Sequence, residues 1–352
     1  MRIEAVDLFC GVGGLTRGLL NSGLKVKAGF DFDKTCKFAY QENNKVKFIE
    51  KDVKNTTIED INKFYNRAAL KVLVGCAPCQ PFSKMRKKLG DEYNQNDDKY
   101  KLLLEFSRLV EGIDPDIVSM ENVPEIEKST VFPKFLEMLE NKGYYTSYGV
   151  VYCPDYGIAQ NRRRFVLLAS KLGKIELLPP THNRKNVKIS DYINELPLVE
   201  AGQICEADPL HRTAQLSELN LKRIKASRPG GSWKDWPEEL VLECHKKDTG
   251  KTFSSVYGRT SWDKVGPTIT TQFYCYGTGR YGHPEQDRAL TLREGALLQT
   301  FPMDYEFVDP NMEFRLRDIA RHIGNAVPVR LGEIIGESIN QHVLIMQKKR
   351  RK

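Results

Sequence analysis

Short apolar runs recur along the first 170 residues, each separated from the next by a stretch whose apolar positions return every three or four residues. The runs at 3–9, 26–30, 47–49, 72–74, 117–120, 145–151 and 165–169 are rich in branched and aromatic side chains and predict strands. Between them, 15–21, 34–43, 99–111 and 132–141 carry the spacing of amphipathic helices. Strand–helix alternation of this kind predicts an α/β chain built on a doubly wound, mostly parallel sheet.

After Leu178-Pro179-Pro180 the alternation stops. Through about position 285 it gives way to Pro-Gly-Gly, Gly-Thr-Gly and tryptophan-bearing patches, which predict a second, irregular domain joined by a proline hinge. A last apolar helix over 329–346 is too hydrophobic on one face to stand alone and is expected to return to the first domain. The expected boundaries are therefore 1–178 with 303–352 for one domain and 179–302 for the other.

Composition changes this picture little. The chain of 352 residues is long enough for a large core and for two domains. Its net charge is +8, of which the tail 348–352 carries +5, so the remaining +3 gives weak support for a polyanionic partner. No apolar run approaches the roughly 18 residues that a membrane span needs. The expectation is a cytoplasmic chain with no membrane association. Of the 8 cysteines only Cys76 and Cys79 are closely spaced. That leaves no disulfide framework and no second ligand pair for zinc, so no metal is expected.

The candidate chemistry sits at the carboxyl ends of the predicted strands, where open α/β sheets place their ligands. Gly75-Cys76-Ala77-Pro78-Cys79-Gln80-Pro81 puts a thiol on a proline-stiffened loop after the strand 72–74, suited to a nucleophile, a redox centre or a metal ligand. The spacing of Cys76 and Cys79 also matches thioredoxin-like dithiols. Such a domain needs only about 100 residues and leaves the other motifs without a role. The first strand runs into Phe9-Cys10-Gly11-Val12-Gly13-Gly14, a glycine turn that lets a ligand approach the backbone. Thr16 stands where a dinucleotide fingerprint needs glycine, which disfavours pyrophosphate. Asp31 after the second strand suits ribose hydroxyls, and Asp52-Val53 after the third suits adenine, so a nucleoside cofactor lacking phosphates is expected. Glu121 follows the strand 117–120 and serves either as a proton donor beside a thiol or as a capping carboxylate. In Gln160-Asn161-Arg162-Arg163-Arg164, alternation sends Arg162 and Arg164 to one side, where they fit a developing oxyanion, phosphates or plain solvent.

Together these residues resemble the cytosine-C5 methyltransferases of DNA, over nearly the whole chain and in the family's order. The glycine turn looks like the family's S-adenosylmethionine loop, Pro78-Cys79-Gln80 its nucleophile motif, Glu121-Asn122-Val123 its acid motif and Gln160-x-Arg162-x-Arg164 its arginine motif. The segment 288–302 and Gly324-Asn325-Ala326-Val327-Pro328 resemble its last two motifs, and the irregular stretch falls where the family keeps its target-recognition region.

The resemblance implies that Cys79 adds to C6 of a flipped-out cytosine, with Glu121 on N3 and the amine and with Arg162 and Arg164 on the O2 side. It assigns S-adenosyl-L-methionine to Phe9, Gly11, Gly13, Gly14, Asp31, Phe32, Asp52, Val53, Pro78 and Asn325. Ser83, Lys84 and Arg86 fall on a loop placed to close over DNA, and Arg259, Thr268, Thr270 and Arg280 are candidates for groove and backbone contacts. The partners it implies are double-stranded DNA and a cognate restriction endonuclease acting on the same site, with the methyltransferase itself a monomer. Departures from the usual pattern are Asp31 for glutamate, Cys76 for glycine, Lys99 for arginine and His322 for glutamine; none removes a catalytic group. An RNA cytosine methyltransferase acting on tRNA and a catalytically idle DNA-binding regulator are the alternative functions.

Overall fold

β1 (Ile3–Leu8) is flanked on one side by β2 (Lys25–Asp31) and then β3 (Lys47–Glu50), and on the other by β4 (Leu70–Gly75) and then β5 (Ile117–Asn122). These five strands run parallel. β7 (Arg163–Ser170) joins β5 antiparallel and β6 (Tyr145–Tyr152) closes the edge, giving the order β3-β2-β1-β4-β5-β7-β6. The computed structural model describes residues 2–78 and 98–350, so Cys79, Ser83, Lys84 and Arg86 lie outside the described residues.

Every strand expected from the apolar runs is present, within one or two residues of its expected ends at most positions. Their apolar side chains are buried on both faces: Val6, Leu8, Phe30, Leu73 and Val118 lie in one cluster, and their neighbours Ala5, Val72, Val74 and Ile117 are equally enclosed. α4 (Asp98–Ile113) and α5 (Phe132–Asn141) cover the first face through Phe106, Val110, Phe135 and Leu139. α1 (Gly14–Asn21), α2 (Lys37–Asn44) and the short α3 (Ile58–Asn62) complete the crossovers. β6 is apolar on an open edge, with Tyr145, Tyr148 and Val150 exposed, as a terminal strand covered on one side is.

The chain divides into two units. The first contains residues 1–152, 163–180 and 327–352, the second 153–162 and 181–326. Residues 303–326, expected with the catalytic domain, therefore group with the second unit. α9 (Val329–Arg350) belongs to the first, where it crosses α1 with almost no space between the backbones. A Cβ on Gly332 would sit 2.9 Å from Leu15 O, and one on Gly18 would run into Val329 O and Glu333 N.

The second unit is held by side-chain pairing more than by regular structure. It contains one two-stranded ribbon, β8 (Ile204–Cys205) with β9 (Asp208–Arg212), and the short helices α6 (Glu218–Lys225), α7 (Leu292–Leu298) and α8 (Leu316–Asn325). Trp233, Trp236 and Tyr276 pack with Ile224 and Ala289 in its hydrophobic core. Arg288 and Glu294, both fully buried, meet in a bidentate pair at 2.7 and 2.8 Å. Burial opposes ionisation of Glu294, but the Arg288 charge and the Thr291 amide outweigh it and hold the carboxyl down at about 2.

Candidate active site

The turn after β1 is shaped by backbone conformation. Phe9 (φ 60°), Gly11 (φ 51°) and Gly13 (φ 92°) all occupy the left-handed region, which glycine enters freely and phenylalanine does not. Gly13 is the N-cap of α1 and offers no side chain to its first-turn amides, with Gly14 buried as the first helical residue. A Cβ on Gly11 would meet nothing within 4 Å, so the turn borders open space. Its amide points at Asp31: Gly11 N donates to Asp31 Oδ2 at 2.8 Å, and Asp33 N donates to Oδ1 at 2.9 Å. Partial burial raises the Asp31 carboxyl above its ordinary value, partly countered by these amides.

The neighbouring candidates divide. Phe32 is 67% exposed beside Asp31, an uncovered aromatic face. Asp52 caps the single turn Val53–Asn55 by accepting from Lys54 N at 2.9 Å, and Val53 is sealed in the core at 2% exposure. Pro78 is half-buried at the end of the described segment.

At the ends of β4 and β5 a second arrangement forms. Glu121 is 2% exposed, and its two oxygens are held differently: Oε1 forms an ion pair with Arg164 Nε at 2.8 Å and makes no hydrogen bond among the described residues, while Oε2 accepts from Cys76 Sγ at 2.7 Å. Asn122 Nδ2 donates to Ala77 O at 3.2 Å and so ties the chain just before Cys79 to β5. Arg163 and Arg164 are already strand residues, and their side chains part as the pleat requires. Arg164 turns to Glu121 while the Arg163 guanidinium lies 5.7 Å from the Tyr152 ring centroid.

Arg162 belongs to the second unit and works inside it. It is 2% exposed; Nη1 donates to Ile269 O at 2.9 Å, and Nη2 to Ala326 O at 3.3 Å and Gly324 O at 3.5 Å. Gln160 and Gln299 extend this set, Gln299 Nε2 donating to Ile323 O at 2.8 Å. The guanidinium thus holds the carbonyls on either side of Asn325, which is itself exposed at the end of α8. Gly324 is required there, because a Cβ would collide with the Thr270 backbone.

Of the expected DNA contacts, Arg259 is turned inward. It is 6% exposed, paired with Asp287 and bonded to Glu285 O at 3.3 Å. Arg280 donates to Gly230 O and, at 2.9 Å, to Gly231 O. Thr268 donates to Asn161 O, and exposed Thr270 shares a hydrogen bond with Tyr281 OH at 3.0 Å.

The sequence offered Cys76 only as a dithiol partner of Cys79 and gave Asp7 no role. Cys76 faces Glu121, and only its place directly after a strand hinted at it. Asp7, in the middle of an apolar run, is buried; Oδ2 accepts from Thr16 Oγ1 at 2.7 Å while Oδ1 has no partner. Burial pushes its carboxyl up to about 7.

The chain belongs to the C-5 cytosine-specific DNA methylases, whose family model matches residues 3–341. It is 51% identical over 340 residues to the Type II methylase M.HgiDII of Herpetosiphon aurantiacus, covering 96% of this chain and 94% of that one. It is 31% identical to the Type II methyltransferase M.PspPI of a Psychrobacter species, over 95% of this chain and 78% of that one. Among solved structures, the Entamoeba histolytica methyltransferase EhMeth shares the fold with a TM-score of 0.69 at 17% identity, over 97% of this chain and 99% of that one. The protein is a DNA cytosine-5 methyltransferase. Among the described residues no helix is long and apolar enough to cross a membrane.

Proposed function

We propose that the enzyme takes its methyl group from S-adenosyl-L-methionine held at the β1 turn and places it on C5 of a flipped-out cytosine in a specific double-stranded sequence, through a covalent bond from Cys79 to C6. The observation that carries this reading is Glu121: a buried carboxylate at a strand end, braced by Arg164 and by Cys76, which lies three residues before Cys79.

The β1 turn suits a cofactor rich in hydroxyl and amine donors and free of phosphate. Asp31 presents acceptor oxygens already oriented by two amides, open space borders Gly11, and Phe32 offers a ring to stack on. When bound, S-adenosyl-L-methionine supplies an electrophilic methyl group. Cytosine C5 is a weak nucleophile, so the Cys79 thiolate first forms a bond to C6 and the ring's π electrons shift towards N3 and O2. Glu121 gives its proton to N3 and accepts from the exocyclic amine as that density accumulates, taking the proton back when the thiolate leaves, and Arg164 keeps Glu121 in place. Once C5 carries the new methyl, the C5 proton passes to solvent, its electron pair forms the C5–C6 double bond, and the S–C6 bond breaks with its pair on sulfur, freeing the thiolate. The base must leave the helix for these groups to reach it.

The second unit is the target-recognition domain in this reading. Thr268, Thr270 and Arg280 supply hydroxyl and guanidinium groups for the duplex, while Arg259 serves the domain's own framework. The relatives' Type II names support a modification role beside an endonuclease of the same specificity, with the methyltransferase acting as a monomer.

Methylcytosine-resolving sequencing of DNA from a methylation-free bacterial host expressing the enzyme, with Cys79→Ser as control, tests this. A single modified motif absent from the control is expected, and a duplex carrying 5-fluorocytosine in that motif should form an adduct stable to denaturant. Modified tRNA with unmodified DNA, or a Cys79→Ser variant that still methylates, overturns the proposal.

A further inference from the structure

Cys76 follows β4 directly, and its backbone is fixed before its side chain acts: Cys76 N donates to Leu8 O at 3.3 Å, so the residue continues the sheet by one step. From there its thiol reaches Glu121 Oε2 at 2.7 Å, on the oxygen opposite the one that Arg164 approaches. One residue further, Ala77 O is held by Asn122 Nδ2. Two consecutive residues ahead of Cys79 are thereby bound to two consecutive residues at the end of β5.

A carboxylate with a donor on one oxygen alone can rotate about its last bond. An ion pair on one oxygen together with a hydrogen bond on the other fixes its plane, and a carboxylate that must meet two adjacent atoms of a ring depends on that plane. A thiol is a weak donor, yet in a buried site of low dielectric its hydrogen bond counts for more than in water.

We infer that Cys76 is a positioning residue for methyl transfer: its thiol sets the orientation of the Glu121 carboxylate, and this second cysteine contributes to the rate without touching the base. The inference rests on the reading of Glu121 given above.

The test is single-turnover methylation of the enzyme's own target duplex by the full-length protein, with cofactor and DNA affinities measured alongside. Cys76→Ala is expected to slow methyl transfer about 10-fold, as the loss of one hydrogen bond to a carboxylate would, with both affinities unchanged. Cys76→Ser, which keeps a donor, is expected to recover most of that loss. In a Glu121→Gln background, Cys76→Ala should cost nothing further, since both changes act on one group. A Cys76→Ala enzyme at the wild-type rate, a Cys76→Ser variant no better than Cys76→Ala, or fully additive losses with Glu121→Gln would each overturn the inference and leave the Glu121 reading standing. A Glu121→Gln enzyme that methylates at the wild-type rate removes the Glu121 reading, and the role of Cys76 falls with it.

Discussion

The amide of Gly11 and the carboxylate of Asp31, at the ends of adjacent parallel strands, are joined by a 2.8 Å hydrogen bond that fixes the β1 turn to β2. Gly11 is a left-handed residue at which a Cβ would meet nothing within 4 Å, so the carboxylate fixes one side of a turn that borders open space. Asp31→Ala should therefore weaken S-adenosyl-L-methionine binding by about 10-fold or more, read by titration calorimetry. Asp31→Asn, which cannot accept on both sides, should fall between. Unchanged affinity in Asp31→Ala would place the cofactor elsewhere.

Glu121 and Arg164 make a separate prediction. Glu121→Gln should cut the rate of methyl transfer about 100-fold or more, the scale of a lost acid–base group, while cofactor affinity holds. Arg164→Ala leaves a carboxylate of 2% exposure without its cation. It should lower folding stability by about 2 kcal/mol in denaturant titration as well as slowing the reaction, and Arg164→Lys should recover part of both.

Asp7 predicts a pH dependence of stability. Its carboxyl titrates at about 7 when folded against an ordinary 3.8. The folded state thus binds the proton more tightly than the unfolded chain. The Asp7 contribution is neutral below the lower value, becomes steadily unfavourable as pH rises between the two, and stays at its full cost above about 7. Asp7→Asn should gain stability relative to wild type across that window and keep a constant advantage above it. Denaturant unfolding at pH 4, 5.5, 7 and 8.5 reads the difference, and parallel curves would show that Asp7 does not titrate there.

The α1–α9 crossing gives a fourth. Gly18→Ala would push a methyl into the backbone of α9, where nothing flexible can yield. A loss of about 2–3 kcal/mol is expected, as for an overpacked core. Gly23→Ala makes a useful comparison, because there a Cβ would meet open space and only the left-handed backbone (φ 89°) is strained.

The strands were legible because a covered parallel sheet writes itself as unbroken apolar runs, and 117–120 or 72–74 carry no competing pattern. α3 was not anticipated: five residues, Ile58–Asn62, are too few to show a period, and its Thr57–Asp60 capping box is the only local signal. Glu121 and Arg164 could be placed at strand ends by register, but not joined, since their pairing depends on β7 running antiparallel to β5. Arg259 and Arg162 show the opposite limit. In the sequence Arg162 reads as a cation for the O2 side of the base and Arg259 as one for the DNA groove, and only the fold reveals the carbonyl groups that receive them. Cys76 was visible as a residue and invisible as a partner, because a thiol facing a carboxylate leaves no trace in spacing.

The place of α9 in the first unit has a bearing on how the enzyme comes into being. The surface that covers α1 is encoded by residues 327–350, after the whole of the second unit has been specified. A growing chain on the ribosome can pair β1 with β4, and can even assemble the second unit, while one flank of the first remains bare. Methylating capacity should then appear abruptly, at the moment synthesis passes the end of α9, rather than building up as the strands emerge.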